Sequence, residues 1–427
     1  MLARSSQTTG VRSMQISIFT ATHDPRFLEE SYRSLERQTL DGWEWVILLY
    51  GGAADWAPPR DDERVTPVRA PSGMRAGGEA KRAACQSASG DVLVELDDGD
   101  LLASTCLEEV AAAFELSPEA VLVYSDFAQI NEDGTASRTR FDEQMGWEYD
   151  DVLVDGSWQL RCRAMAPLPH NLAYIWYAPN HVRAFRRDAY HRVGGYDASL
   201  DLLEDQALMS RLFVDGEFVY LPRCLYLDRM PASQSEAELE ASARVQVETV
   251  RMYQESIAEL TKAWCRRRGL AALDVRVATS PDAPVDPELQ VVEVDPAAPR
   301  LALPQDSVGL ISASDLLQRL GDGIGFFNEC HRVLVHGGLL LTDTPSTDGR
   351  GAFQDPSHLA YYNENSFWYV TQSRLRRSVP RLTARLQVSH LRTYCATPWH
   401  EEMRMPSVQA NLLAVKDGPR LGGPLLV

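Results

Sequence analysis

Val92-Leu-Val-Glu-Leu-Asp-Asp-Gly-Asp-Leu-Leu102 is the stretch whose reading decides the fold. The apolar, β-prone residues from Val92 to Leu96 read as a short buried strand. It ends in three carboxylates, Asp97, Asp98 and Asp100, hinged at Gly99. Carboxylates crowded at a strand end repel one another, so a fold keeps them there where something positive offsets them. A hard divalent cation with a phosphate-bearing ligand does this, because Mg²⁺ or Mn²⁺ prefers one or two carboxylates plus phosphate oxygens. Read alone, Asp-Asp-Gly-Asp fits a solvated acidic turn equally well. The flanks decide.

Upstream, Gln15 to Thr20 (QISIFT) is a predicted strand and Arg26 to Gln38 a helix. Trp43 to Tyr50 (WEWVILLY) is a second strand, broken by Gly51-Gly52, and a helix follows from about Gly78 to Ala88. Downstream come a helix, Ser104 to Leu116, and a strand, Ala120 to Tyr124, ending in Ser125-Asp126. Strands alternating with helices predict an α/β fold with a parallel, doubly wound sheet, whose ligands sit beyond the carboxyl ends of the strands. Thr20, Thr22, Tyr50, Asp97 to Asp100 and Asp126 all fall at such ends.

The 427 residues are enough for two domains, each with its own core. A formal charge of −18 argues against a nucleic-acid surface or an anionic membrane as partner. It fits a protein that recruits an anionic ligand locally, through a metal or a few basic side chains. Seven scattered cysteines without a C-x-x-C spacing argue against a zinc knuckle or a disulfide framework. A reducing, cytoplasmic setting is expected. No apolar run approaches the ~18 residues of a membrane span, and residues 1–13 read as a flexible tail.

ISIFTATHDP, SLERQT, WEWVILLYGG, GEAKRAACQSASGDVLVELDDGDLL, VYSDF and FRRDAYHRVGGYDASLDLLEDQALMSRL follow one another between about residues 14 and 230. As an ordered set they resemble a family 2 glycosyltransferase of GT-A fold, a Rossmann-like nucleotide-sugar domain. The resemblance implies an inverting transferase that uses a nucleotide-diphosphate sugar, most often a UDP-sugar, and an acceptor hydroxyl. It implies that Thr20 and Thr22 edge the nucleotide, that Lys81 lies near the diphosphate, and that Asp97 to Asp100 form the DXD element. Asp205, in Leu203-Glu204-Asp205 at a helix start, is then the base that takes the acceptor proton. A helix N-terminus favours its ionised form, and Glu204 orients or assists it. An acid pair capping a helix is the plain alternative.

Three departures from the family pattern stand out. The second strand ends in Leu49-Tyr50-Gly51 rather than aspartates, leaving Tyr50 to stack on the nucleobase. Gly99 takes the third position of the usual D-x-D-D, so the metal ligand is Asp98 or Asp100. Where relatives place a ligating His, the chain reads Leu227-Asp228-Arg229-Met230-Pro231. Either Asp228 substitutes, or diphosphate and water hold most of the metal. The Gln-x-x-Arg-Trp signature of processive relatives is absent, which favours single sugar additions. Residues 141 to 185 are rich in aromatics, and His181, Trp176 and Tyr196 are candidates for the acceptor side.

Residues 233–269 read as a helical linker, with a dimer face as one role open to it. From 270 to 427 the alternating pattern resumes. DSVGLISASDLLQRL and FFNECHRVLVHGGLLLTDTPS resemble the second half of a Rossmann-like S-adenosylmethionine-dependent methyltransferase. The glycine-rich turn such an enzyme needs is replaced by Val277 to Pro284, which has two prolines and no glycine. A non-catalytic module that does not bind S-adenosylmethionine is expected. The chain therefore reads as a 14–232 glycosyltransferase domain linked to a methyltransferase-like domain. A bifunctional glycosyl- and methyltransferase and a non-catalytic sugar-binding protein are the alternatives.

Overall fold

The computed structural model describes residues 14–174, 179–231, 236–278, 286–416 and 421–422. Trp176, the predicted tail and most of the glycine-free segment after Val277 lie outside them. The chain divides into two compact units. The first ends at Thr249, and residues 141–147 and 165–174 belong to the second. The long helix Glu236–Arg268 is thus shared between the units at Thr249, where the sequence had suggested a separate linker. No helix among the described residues is long and apolar enough to cross a membrane.

The first unit contains strands β1 Ile16–Thr22, β2 Trp43–Leu49, β3 Val65–Arg69, β4 Val92–Glu95, β5 Leu101–Leu102, β6 Ala120–Ile130, β7 Tyr149–Val154, β8 Ser157–Cys162, β9 His181–Arg186 and β10 Glu217–Arg229. The sheet runs β3-β2-β1-β4-β9-β6-β10-β5, with the β7–β8 hairpin joined through β6. The first four strands are parallel, as the alternation predicts. The sheet as a whole is mixed, which corrects the expectation of a wholly parallel one. β9 runs antiparallel between β4 and β6, so that Ala184 pairs with both Val94 and Val123. A strand that enters against its neighbours needs no crossover helix, so helix–strand alternation does not announce it. Its position sets the chemistry below, because it lays His181 and Arg183 beside the acidic turn.

β2 is buried along nearly its whole length. Trp45 stacks on Tyr32 of the helix Leu28–Glu36 at 6.4 Å, and Phe19 packs on Phe185 at 5.9 Å. These aromatics anchor the strand ends from which the candidate site projects.

The second unit contains β11 Ala271–Arg276, β12 Gln290–Glu293, β13 Val308–Ser314, β14 Leu334–Pro345, β15 Leu386–Tyr394 and β16 Ser407–Ala414. The order is β12-β11-β13-β14-β16-β15. The first four are parallel, and β16 is antiparallel to both its neighbours. The helix Gly323–Val333 connects β13 to β14 and buries Phe326, Phe327, Cys330 and Val333 in the core.

Candidate active site

β4 delivers Glu95 into the protein interior, and the chain then turns through Asp97, Asp98, Gly99 and Asp100. Gly99 sits at φ +93°, a conformation open to glycine and strained for other residues. The turn is held from several sides. Asp100 is buried and accepts from the Tyr226 hydroxyl at 2.7 Å and from the Arg229 backbone N–H at 2.7 Å. The Arg229 guanidinium lies over Phe27 at 4.4 Å and donates to the Gly99 carbonyl at 2.7 Å. Asp98 Oδ2 accepts from the Thr22 hydroxyl at 2.7 Å. Beyond Asp98 opens a pocket of about 240 Å³ whose lining includes His23, Arg26 and Pro231.

Asp97, Asp100 and His181 each present a ligand atom within 4.8 Å of the other two. His181 stacks face to face on Tyr226 at 4.0 Å. Burial lowers its pKa to about 4, so at neutral pH the ring is uncharged and carries a lone pair. Burial likewise pushes the carboxyls of Asp97, Asp98 and Asp100 up, and for Asp100 the charges of Asp228 and Asp97 add to it. A nearby cation would reverse that cost.

A buried ion-pair chain runs from this turn to the helix Glu204–Asp215. Lys81 Nζ lies 2.6 Å from Glu95 Oε1, 3.3 Å from Glu204 and 3.7 Å from Asp97. Arg183 Nη1 lies 3.1 Å from Glu95 Oε2 and 2.8 Å from Asp205 Oδ2. Burial opposes ionisation of Glu95, but Lys81 and Arg183 outweigh it and bring its pKa down to about 2. Burial also opposes ionisation of Asp205, and Arg183 with Lys81 again outweighs it and lowers its pKa. Burial dominates at Glu204, whose carboxyl is raised. Glu95, Asp97, Glu204 and Asp205 thus share two cations, Lys81 and Arg183, and with Asp98 and Asp100 beside them the cluster carries an excess of acids, with the donor types of a divalent metal site.

Thr20 turns into the core, donating to the Leu96 carbonyl at 2.6 Å and accepting from the Trp45 indole at 2.9 Å, so its hydroxyl is fully engaged inside the protein. Tyr50 is half-buried beside His23, with ring centroids 5.7 Å apart. Tyr196 is fully buried against Phe19, Phe185 and Tyr190, and this corrects its expected place on the acceptor side: it packs. Asp98 belongs with Thr22, and the trio that could share a cation is Asp97, Asp100 and His181. Sequence reasoning missed Glu95, Arg183, Tyr226 and Arg229. For the first two a signal existed: each is a charge set within an apolar strand run, VLVEL and HVRAF, and buried charges need partners.

No family model matches the chain. The O-antigen biosynthesis protein RfbC of Myxococcus xanthus is 28% identical over 207 residues, covering 46% of this chain. The chain spans only 14% of the length of that relative. Solved structures of S. aureus TarS 1-349 align at a TM-score of 0.40 and 13% identity, over 58% of this chain and 69% of TarS. The UDP-GlcNAc complex of TarS aligns at 0.41 and 12% identity, over 59% and 71%. At these TM-scores the likeness carries no argument.

Proposed function

We propose that the first unit is an inverting glycosyltransferase of GT-A, family 2 type, moving one sugar from a nucleotide-diphosphate sugar to an acceptor hydroxyl. The observation that carries the reading is the gathering of acids around Asp97, Asp100 and His181, joined to Asp205 through Lys81, Glu95 and Arg183. The partial similarity to an O-antigen biosynthesis protein supports it, and a UDP-sugar is the first donor to try.

Two carboxylates and an imidazole fit Mn²⁺ better than Mg²⁺, because nitrogen donors suit the softer ion. When bound, the metal supplies neutralisation of the charge that develops on the leaving diphosphate. The protein's own residues do the rest. Asp205 stays ionised through Arg183 and accepts the acceptor's proton. Glu204, held by Lys81, keeps the start of that helix in place. Tyr50, next to His23 of the pocket lining, is the ring offered to the nucleobase. The second unit is a non-catalytic, methyltransferase-like module, a reading supported by its β11–β14 parallel core.

Asp205→Asn tests the assignment. Transfer and release of nucleotide diphosphate should fall by at least about 10³-fold, within the range of a lost general base, with binding of the nucleotide nearly unchanged. Near-normal turnover in that variant would refute it.

A further inference from the structure

We infer that the second unit binds a neutral, hydroxyl-rich ligand of the saccharide class on the polar face of its sheet. The two faces of that sheet differ. Leu273, Ile311, Leu340 and Leu412 form one row of the pairing register and belong to the hydrophobic core. The next row reads Asp274, Ser312, Leu341 and Asn411, and two residues further along it reads Ser314, Asp343 and Gln409. Side chains alternate along a strand, so these two rows share the opposite face. Parallel strands are usually apolar on both faces; these are not, and the exception lies at the carboxyl ends of β13 and β14.

A pocket of about 240 Å³ opens there, lined by Gln254, Ser312, Ser314, Asp343, Gln409 and Asn411, with Ile257 and Leu341 as apolar patches. Asn411 is 2% exposed, and its Oδ1 has no hydrogen-bond partner among the described residues. Its amide nitrogen donates to the Tyr253 hydroxyl at 3.3 Å. A buried acceptor left open is costly, and a donor arriving from outside would recover that cost.

The charge pattern selects the ligand class. Asp343 Oδ2 accepts from the Tyr394 hydroxyl at 2.5 Å, and its carboxylate repels phosphate and carboxylate groups. The Arg392 guanidinium, the cation at this edge, donates to Gln409 at 3.0 Å and lies over Tyr394 at 4.3 Å. What remains is a set of hydroxyl and amide groups around small apolar patches, which complements a sugar ring. The volume is below the roughly 300–1,000 Å³ of drug-sized sites, so one sugar residue is the expected occupant. The inference does not rest on the transfer reading, since binding here needs neither donor nor metal.

Saturation-transfer NMR on the full chain, without nucleotide or metal, tests it. The probes are the methyl glycosides of glucose, galactose, mannose, rhamnose and N-acetylglucosamine, with uridine and inorganic phosphate alongside. At least one glycoside should bind, and Ser312→Val and Gln409→Leu should each weaken it tenfold or more. Ser314→Ala, at an exposed position, should weaken it in the same direction and serves if the other two do not fold. The inference is overturned if no glycoside binds, if binding survives all the variants that fold, or if uridine or phosphate binds in their place.

Discussion

Arg183 and Asp205 form a buried ion pair, with Nη1 and Oδ2 2.8 Å apart. The same guanidinium reaches Glu95 Oε2, whose other oxygen faces Lys81, and Lys81 in turn faces Glu204. One carboxylate on β4 thus sets two cations, and each cation sets one of two consecutive acids. The arrangement depends on β9 lying antiparallel beside β4, since that is what brings Arg183 next to Glu95.

Arg183→Gln is expected to leave Asp205 without its ion-pair partner and Glu95 with Lys81 alone. Breaking a buried pair in this way costs about 3–5 kcal/mol, visible as a lower urea midpoint. Arg183→Lys keeps the charge and loses the forked geometry. It should recover much of the stability yet lower kcat more than it changes the acceptor KM. Equal stability of the Gln variant and the native chain would show that Arg183 does not hold this cluster.

Gly99→Ala addresses the turn itself. At φ +93° an added Cβ would sit 3.2 Å from the Phe27 ring. The strain of a non-glycine residue there is about 1–3 kcal/mol, so a lower melting temperature and weaker Mn²⁺ binding should appear together. A variant with unaltered metal affinity would separate the turn from the cation site.

Much of this was legible in the sequence. WEWVILLY and VLVEL are apolar enough to be read as buried strands, and both are. The glycine in Asp-Asp-Gly-Asp forecasts a tight turn, and its positive φ gives the reason. What was not legible depends on pairing across the sheet. HVRAFR gives no sign that it inserts between β4 and β6, yet this insertion puts His181, 81 residues after Asp100, in reach of it. Tyr196 misled for a related reason: the resemblance sets its Gly-Gly turn beside the acceptor, and only packing against Phe19 and Phe185 shows that its ring turns inward.

The second unit offers a pH test. Burial, with Arg392 adding to it, lowers the His390 pKa to about 4. In the unfolded chain the ring takes up a proton below about pH 6.5, while the folded chain resists until about pH 4. Protons then favour the unfolded state, so stability should fall as pH drops from 6.5 to 4, by up to about 3 kcal/mol. His390→Gln should make denaturation midpoints less steep across that window, with buried His181 supplying part of the remaining slope. An unchanged slope would place the acid sensitivity elsewhere.

The cation site can be assigned by substitution. If Asp97, Asp100 and His181 hold Mn²⁺, the metal at a hundredfold excess over its Kd should stabilise the native chain by about 2.7 kcal/mol. Asp97→Asn and His181→Gln should each remove most of that gain. Asp98→Asn, which removes a charge beside Thr22 but touches none of the trio, should retain it. The opposite pattern, with Asp98→Asn insensitive to Mn²⁺ and Asp97→Asn still responsive, would return the ligand to the position first read from the D-x-D-D spacing. It would also mean that the turn rearranges when the ion arrives, because in the present arrangement Asp98 is turned to Thr22. The two substitutions therefore report on the rigidity of the turn as well as on its chemistry.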